Sequence, residues 1–146
     1  MDSCCHRPDG KERFAIRVKR AAFASHLSGS HHQRFDEWFE GLDREAKRTL
    51  AVEIELLKSF GPGLTRPHAG TLGGSRFANM KELRAKTPTA VLRVAFAFDT
   101  DRQAMLLIGG NKAGVNQKRF YKQLIDKADR LFTTHLARIR KKGKGE

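Results

Sequence analysis

At 146 residues the chain suits one domain with an ordinary core. It is 39% hydrophobic and 31% charged, and no apolar run approaches the ~20 residues of a membrane span, which excludes a helical membrane protein. The formal net charge is +13 and unevenly spread: residues 35–60 are acidic at −3, whereas 112–146 carry +8, a distribution suited to a polyanion such as nucleic acid or to an acidic protein partner.

Residues 1–12 contain Pro8, Gly10 and mixed polar groups and are expected to be disordered. The only cysteines, Cys4 and Cys5, are adjacent and give neither a disulfide framework nor a zinc knuckle, which fits a reducing cytoplasm. Residues 13–35 lack acids and carry several Arg and Lys, leaving a basic leader and a transit peptide both open. Within them Phe14 to Lys19 alternates apolar and polar like a half-buried strand, and Ser25 to Gln33 reads as a loop.

Phe35, Trp38, Phe39 and Leu42 fall at i, i+3, i+4 and i+7, the spacing of an amphipathic helix. Asp43 reads as a new N-cap with Glu45 in the first turn. Ala46, Leu50, Ile54 and Leu57 continue the stripe, with Val52 and Leu56 alongside, and Gly61-Pro62-Gly63 ends it. Residues 64–78 are expected to be irregular, with Leu72 as their buried anchor.

Three strands follow, over NMKELRAK, VLRVAFAFD and AMLLIGGNK. Side chains alternate along a strand, so Leu92, Val94, Phe96 and Phe98 share one face while Arg93 joins Val91, Ala95 and Ala97 on the other. Glu82 and Arg84 also share a face, and the turn Gly109-Gly110-Asn111-Lys112 delivers a lysine to the sheet's rim. A last helix from about 117 carries Phe120/Tyr121, Leu124/Ile125, Ala128, Leu131/Phe132, His135/Leu136 and Ile139 at 3.6-residue spacing. The expected fold is an α+β two-layer domain, an antiparallel sheet whose greasy face is covered by both the N-terminal helices and the C-terminal helix. Residues 1–34 form a basic extension, 35–142 the domain and 143–146 a tail.

No two histidines have metal-binding spacing, no nucleophile–His–Asp set is marked, and GGNKAG is too short for a phosphate-binding loop. The residues point instead to phosphoryl chemistry on RNA with neither metal nor cofactor. RNA supplies its own nucleophile, the 2′-OH, so positioned cations and donors can do much of the rest. Arg84, Arg93 and Lys112 suit charge stabilisation, Glu82 a general base, and Tyr121 base stacking or proton donation. Glu82 with Arg84 or Arg93 would equally serve as a cross-strand ion pair, Tyr121 as helix packing and Lys112 as a solvated turn residue.

The segments RFDEWFEGLD, GPGLTRPHAGTLGGSRFANMKELR, LRVAFAFDTDRQAMLLIGGNKAG and FYKQLIDKADRLFTTHL resemble the HigB-like toxins of the RelE/ParE superfamily, many of them phage-associated. The resemblance runs from about Phe35 to Leu136. It implies a ribosome-dependent mRNA endonuclease (an mRNA interferase) of the cytoplasm, with mRNA and ribosome as targets and a HigA-like helix-turn-helix antitoxin as partner. It implies a catalytic set of Glu82, Arg84, Arg93, Lys112 and Tyr121, and Arg66, Ser75 and Arg76 match its loop positions; Arg66, Arg76, Lys81 and Arg119 are the expected RNA contacts. A non-catalytic RNA- or protein-binding regulator of the same fold and a ParE-type topoisomerase poison are the alternatives. The linker Lys86 to Ala90 holds Pro88 where a tight hairpin turn is expected, which a proline fits.

Overall fold

The computed structural model describes residues 18–20 and 35–144. In chain order it contains β1 (Val18–Arg20), α1 (Phe35–Glu40), α2 (Arg44–Phe60), a 3₁₀ turn (Gly61–Gly63), β2 (Ala69–Thr71), β3 (Lys81–Thr87), β4 (Ala90–Phe98), β5 (Ala104–Asn111) and α3 (Gln117–Lys144). The strands form one sheet in the order β1-β5-β4-β3-β2. Strands β2 to β5 are antiparallel, as the short links between β3, β4 and β5 require, and β1 joins the far edge parallel to β5. Of the strand expected over Phe14–Lys19, only Val18 and Lys19 fall in the described β1. The expected disorder of residues 1–12 and the loop from Ser25 to Gln33 lie outside the described residues.

The helix boundaries follow local chemistry. Asp43 caps α2 by accepting the Ala46 N–H at 2.8 Å, and Gly61 ends it at φ 54, a left-handed value that a side chain disfavours. Ala46, Leu50, Ile54 and Leu57 face inward at steps of three and four; Val52, on the neighbouring stripe, is instead 55% exposed. Leu72 is buried as expected, but the segment around it is less irregular than its glycines imply. Ala69–Thr71 pairs with Leu83, Glu82 and Lys81 as a short edge strand.

Strand β4 carries the expected division of faces. Leu92, Val94 and Phe96 pack with Phe35, Trp38, Leu50 and Leu57, with Phe98 at the margin. Ala95 and Ala97 pack on the reverse face with Leu107, Ile108, Leu124, Ala128 and Phe132. Here one expectation is corrected: α3 does not share the greasy face with α1 and α2 but covers the opposite one. The reason lies in β5. Met105 and Leu107 face α3 while Ala104 and Leu106 face α1 and α2, so the strand is apolar on both sides and needs cover on both. An irregularity between Ala95 and Phe96 skips Leu107 in the pairing, which turns Ile108 to the α3 face as well.

Two polar anchors hold α3 to the sheet. Asp129 accepts the Ser75 hydroxyl at 2.5 Å and the Arg76 N–H at 3.1 Å, tying down the loop before β3. Asp99 shapes the β4–β5 turn by accepting the N–H groups of Asp101 and Gln103, and its second oxygen meets His135 Nε2 at 2.8 Å. His135, placed in the apolar stripe by spacing, is indeed buried, and its polar edge is satisfied by that carboxylate.

Candidate active site

Register places the charged residues together. Glu82 pairs with Ala95, and Arg84 with Arg93, so Glu82, Arg84 and Arg93 all stand on the α3 face of the sheet. They occupy the end beyond the apolar contacts, where α3 begins and Tyr121 looks down on the strands. The Tyr121 hydroxyl donates to Glu82 Oε1 at 2.9 Å and accepts from Arg93 Nε at 3.3 Å. Arg93 Nε also lies 3.6 Å from Glu82 Oε1, and Arg84 Nε 3.9 Å from Glu82 Oε2. Arg93 is buried and directs a second nitrogen to the Leu92 carbonyl at 2.9 Å. Glu82 is 6% exposed, so its carboxylate is held by a tyrosine and two arginines rather than by water.

The turn after β5 brings the lysine. Asn111 Oδ1 accepts from Val91 N and Ala113 N, and Lys112 N donates to the Val91 carbonyl at 2.8 Å. Lys112 Nζ then sits 5.3 Å from the centre of the Tyr121 ring, a cation–π contact. Gly110 lets the start of α3 close on the sheet, because a Cβ there would stand 2.8 Å from the Phe120 ring.

The expected set Glu82, Arg84, Arg93, Lys112 and Tyr121 is thus one cluster. Of the other expected residues, Arg66 comes close: a Cβ built on Gly70 would lie 3.5 Å from its guanidinium and 3.7 Å from Glu82 Oε2. Lys81 does not join them, because strand alternation turns it to the opposite face from Glu82. It lines a separate surface hollow of about 420 Å³ with Arg66 and Thr71. Arg76 is exposed, with its peptide held at Asp129, about 12 Å along α3 from Tyr121. Arg119 is exposed in the first turn of α3, its N–H capped by Asn116.

Two residues not expected from sequence stand at the margin. His68 Nδ1 meets Glu53 Oε1 at 3.0 Å, and both line a hollow of about 410 Å³ with Arg84, Lys86 and Arg93. The sequence signal for them was weak, since Glu53 and His68 are 15 residues apart on different elements.

Burial, then repulsion from Arg93, lowers the Lys112 pKa below the usual lysine value, while Glu82 opposes the shift. Tyr121 moves up from 10.0, chiefly by burial and also because its proton is bonded to Glu82, with Arg93 opposing. It is the only tyrosine, so its phenolate absorbance can be titrated without overlap. The native midpoint should lie above 10.0. A proton held more tightly in the folded state stabilises that state at lower pH, so this contribution is lost as pH rises through the folded pKa. A midpoint at or below 10.0 would contradict the half-buried Tyr121–Glu82 contact.

The model of the phage-derived Gp49-like protein family (DUF891) matches residues 37–133, which include every member of the cluster. The chain belongs to this family. It is 43% identical over 108 residues to the Mycobacterium tuberculosis protein named "Putative toxin HigB2". That alignment covers 73% of this chain and 53% of the relative, so the chain spans about half the length of that protein. It is 44% identical over 102 residues to "Putative toxin HigB3" of the same organism, covering 70% of this chain and 87% of the relative. No solved structure matches this Gp49-like chain. None of its described helices is long and apolar enough to cross a membrane, and no three of its described His, Cys, Asp or Glu side chains gather as a metal-ion set.

Proposed function

We propose that this Gp49-like protein is the toxin of a type II toxin–antitoxin pair. It acts as a metal-independent endoribonuclease that cuts mRNA on the ribosome in the cytoplasm and is held in check by a HigA-like helix-turn-helix antitoxin. The observation that carries the reading is the gathering of Arg84, Arg93 and Lys112 around the Tyr121–Glu82 pair. Three cations against one carboxylate make a seat for a phosphodiester. Two of them are fixed by hydrogen bonds or ion pairs before substrate arrives, which is what stabilising a developing charge requires. The names of the two relatives support the toxin class.

The chemistry follows from the RNA. Its 2′-oxygen attacks the adjacent phosphorus, the 2′-O–P bond forms, and the P–O5′ bond breaks. The products are a 2′,3′-cyclic phosphate and a 5′-hydroxyl. Glu82 is too buried to meet the ribose directly, whereas Tyr121 is only half-buried and already donates its proton to Glu82. The 2′-OH proton therefore goes to the Tyr121 oxygen as the tyrosine proton passes to Glu82. Arg84, Arg93 and Lys112 meet the charge that builds on the non-bridging oxygens.

Induction in cells, followed by mapping of mRNA 5′ ends, tests this. New 5′-hydroxyl ends inside coding regions, suppressed by co-expression of a helix-turn-helix protein from the adjoining reading frame, are expected. Continued translation with unchanged ends would refute the enzyme. Altered DNA supercoiling with intact mRNA would point to a topoisomerase target instead.

A further inference from the structure

We infer that His68 is the acid that protonates the departing 5′-oxygen, and that Glu53 is its positioning residue; this rests on the ribonuclease reading above. Transfer through phosphorus places the attacking and leaving oxygens roughly in line, on opposite sides of the phosphate. A proton acceptor on one side therefore calls for a proton donor on the other. Tyr121 and Glu82 meet Arg93 and Arg84 from the α3 side. His68 shares its hollow with the same two arginines from the β2 side. The two arginines that contact the Tyr121–Glu82 pair thus also line the hollow that holds the candidate acid.

The imidazole is mounted for this role. The His68 carbonyl accepts the Arg84 N–H at 2.8 Å and its own N–H donates to Thr65 at 2.9 Å, so the backbone carrying the ring is fixed to the strand carrying Arg84. Glu53, only 15% exposed, takes Nδ1 at 3.0 Å and leaves Nε2 as the ring nitrogen for substrate. The groups facing His68 are Glu53 from α2, Arg84 and Lys86 from β3, and Arg93 from β4. Among three cations an imidazolium needs a counter-charge, and Glu53 is the one carboxylate in that wall. In the step, Nε2–H passes its proton to O5′ as the P–O5′ bond breaks, and the neutral ring is reprotonated from solvent. Histidine is suited to such transfer because it titrates near physiological pH.

The test is single-turnover cleavage of ribosome-bound mRNA by the full chain, using a natural substrate and one with sulfur in place of the bridging 5′-oxygen. A thiolate leaves without a proton, so that substrate bypasses the acid. His68→Asn keeps a donor for Glu53 and removes the acid. It should lose at least ~10²-fold on the natural substrate and recover on the thio substrate. Glu53→Gln should give an intermediate loss with the same recovery. Wild-type rates for His68→Asn, or an equal deficit on both substrates from a variant that melts like wild type, would overturn the assignment alone. If His68→Asn does not fold, His68→Gln takes its place with the same outcomes. A wild type that cuts neither substrate would overturn the ribonuclease reading and this assignment together.

Discussion

Arg84→Ala and Lys112→Ala should each lower the single-turnover cleavage rate by about 10²–10³-fold while leaving the thermal midpoint nearly unchanged. The size follows from removing one preorganised cation from a site where charge develops. The clean separation from stability follows from exposure. Arg84 keeps 26% of its side chain exposed and lies 3.9 Å from Glu82, a long ion pair whose loss leaves Tyr121 and Arg93 still on that carboxylate. Lys112 is half-buried at the rim, and its cation–π contact is worth about 0.5–1 kcal/mol at such a site. Arg93 is a poorer probe. Its side chain is 7% exposed and serves Glu82, Tyr121 and the Leu92 carbonyl together. Its removal strands a buried carboxylate, and loss of activity there would mix chemistry with unfolding. Growth arrest and mRNA 5′-end mapping in cells, beside melting curves of the purified variants, provide the check. Full activity in either alanine variant would remove that cation from the mechanism.

The cluster was legible in sequence because β-strand alternation is a strong geometric rule. Placing Glu82 with Arg84, and Arg93 opposite Leu92 and Val94, needed only a period of two, and the sheet has that register. The convergence of Lys112 and Tyr121 followed from a turn and a helix start on either side of Asn116. What failed was global. That α3 takes the reverse face was latent in Ala104 to Ile108, five consecutive apolar residues, since a run without alternation signals burial on both sides. Strand β2 was illegible because three residues, one of them glycine, carry no period. Its pairing comes from β3's open edge rather than from propensity. The place of His68 beside Arg84 depends on that same strand, so a sequence reading without β2 could not bring the imidazole to the site.

Gly109→Ala should destabilise the domain by several kcal/mol, although an added methyl in a strand usually helps. At a compatible site, replacing glycine by alanine stabilises by ~0.4–1 kcal/mol because the unfolded chain has less freedom to lose. Here the methyl has nowhere to go. A Cβ on Gly109 would stand 2.3, 2.4 and 2.6 Å from three carbons of the Trp38 ring. Trp38 in turn packs against Phe35, which is fully buried, at 5.8 Å between ring centres. The ring can yield only by lifting α1, and that helix has six residues, too few to persist without its packing. Overpacking alone costs about 1–3 kcal/mol, and forfeiting the tryptophan's contacts approaches the ~3–5 kcal/mol of a large-to-small core change. Against a typical stability of ~5–15 kcal/mol this is a large share. Trp38 is the only tryptophan, so its fluorescence reports the event directly. In Gly109→Ala the emission should shift to the red before the helical signal is lost in denaturant. Gly110→Ala is the informative neighbour. Its Cβ would meet the half-buried Phe120 at 2.8 Å, a ring with room to move toward solvent, so its cost should be smaller. In a Trp38→Leu background the Gly109→Ala cost should shrink, because the two changes share one contact. An undiminished cost there would place the strain in the β5 backbone instead of beneath the indole.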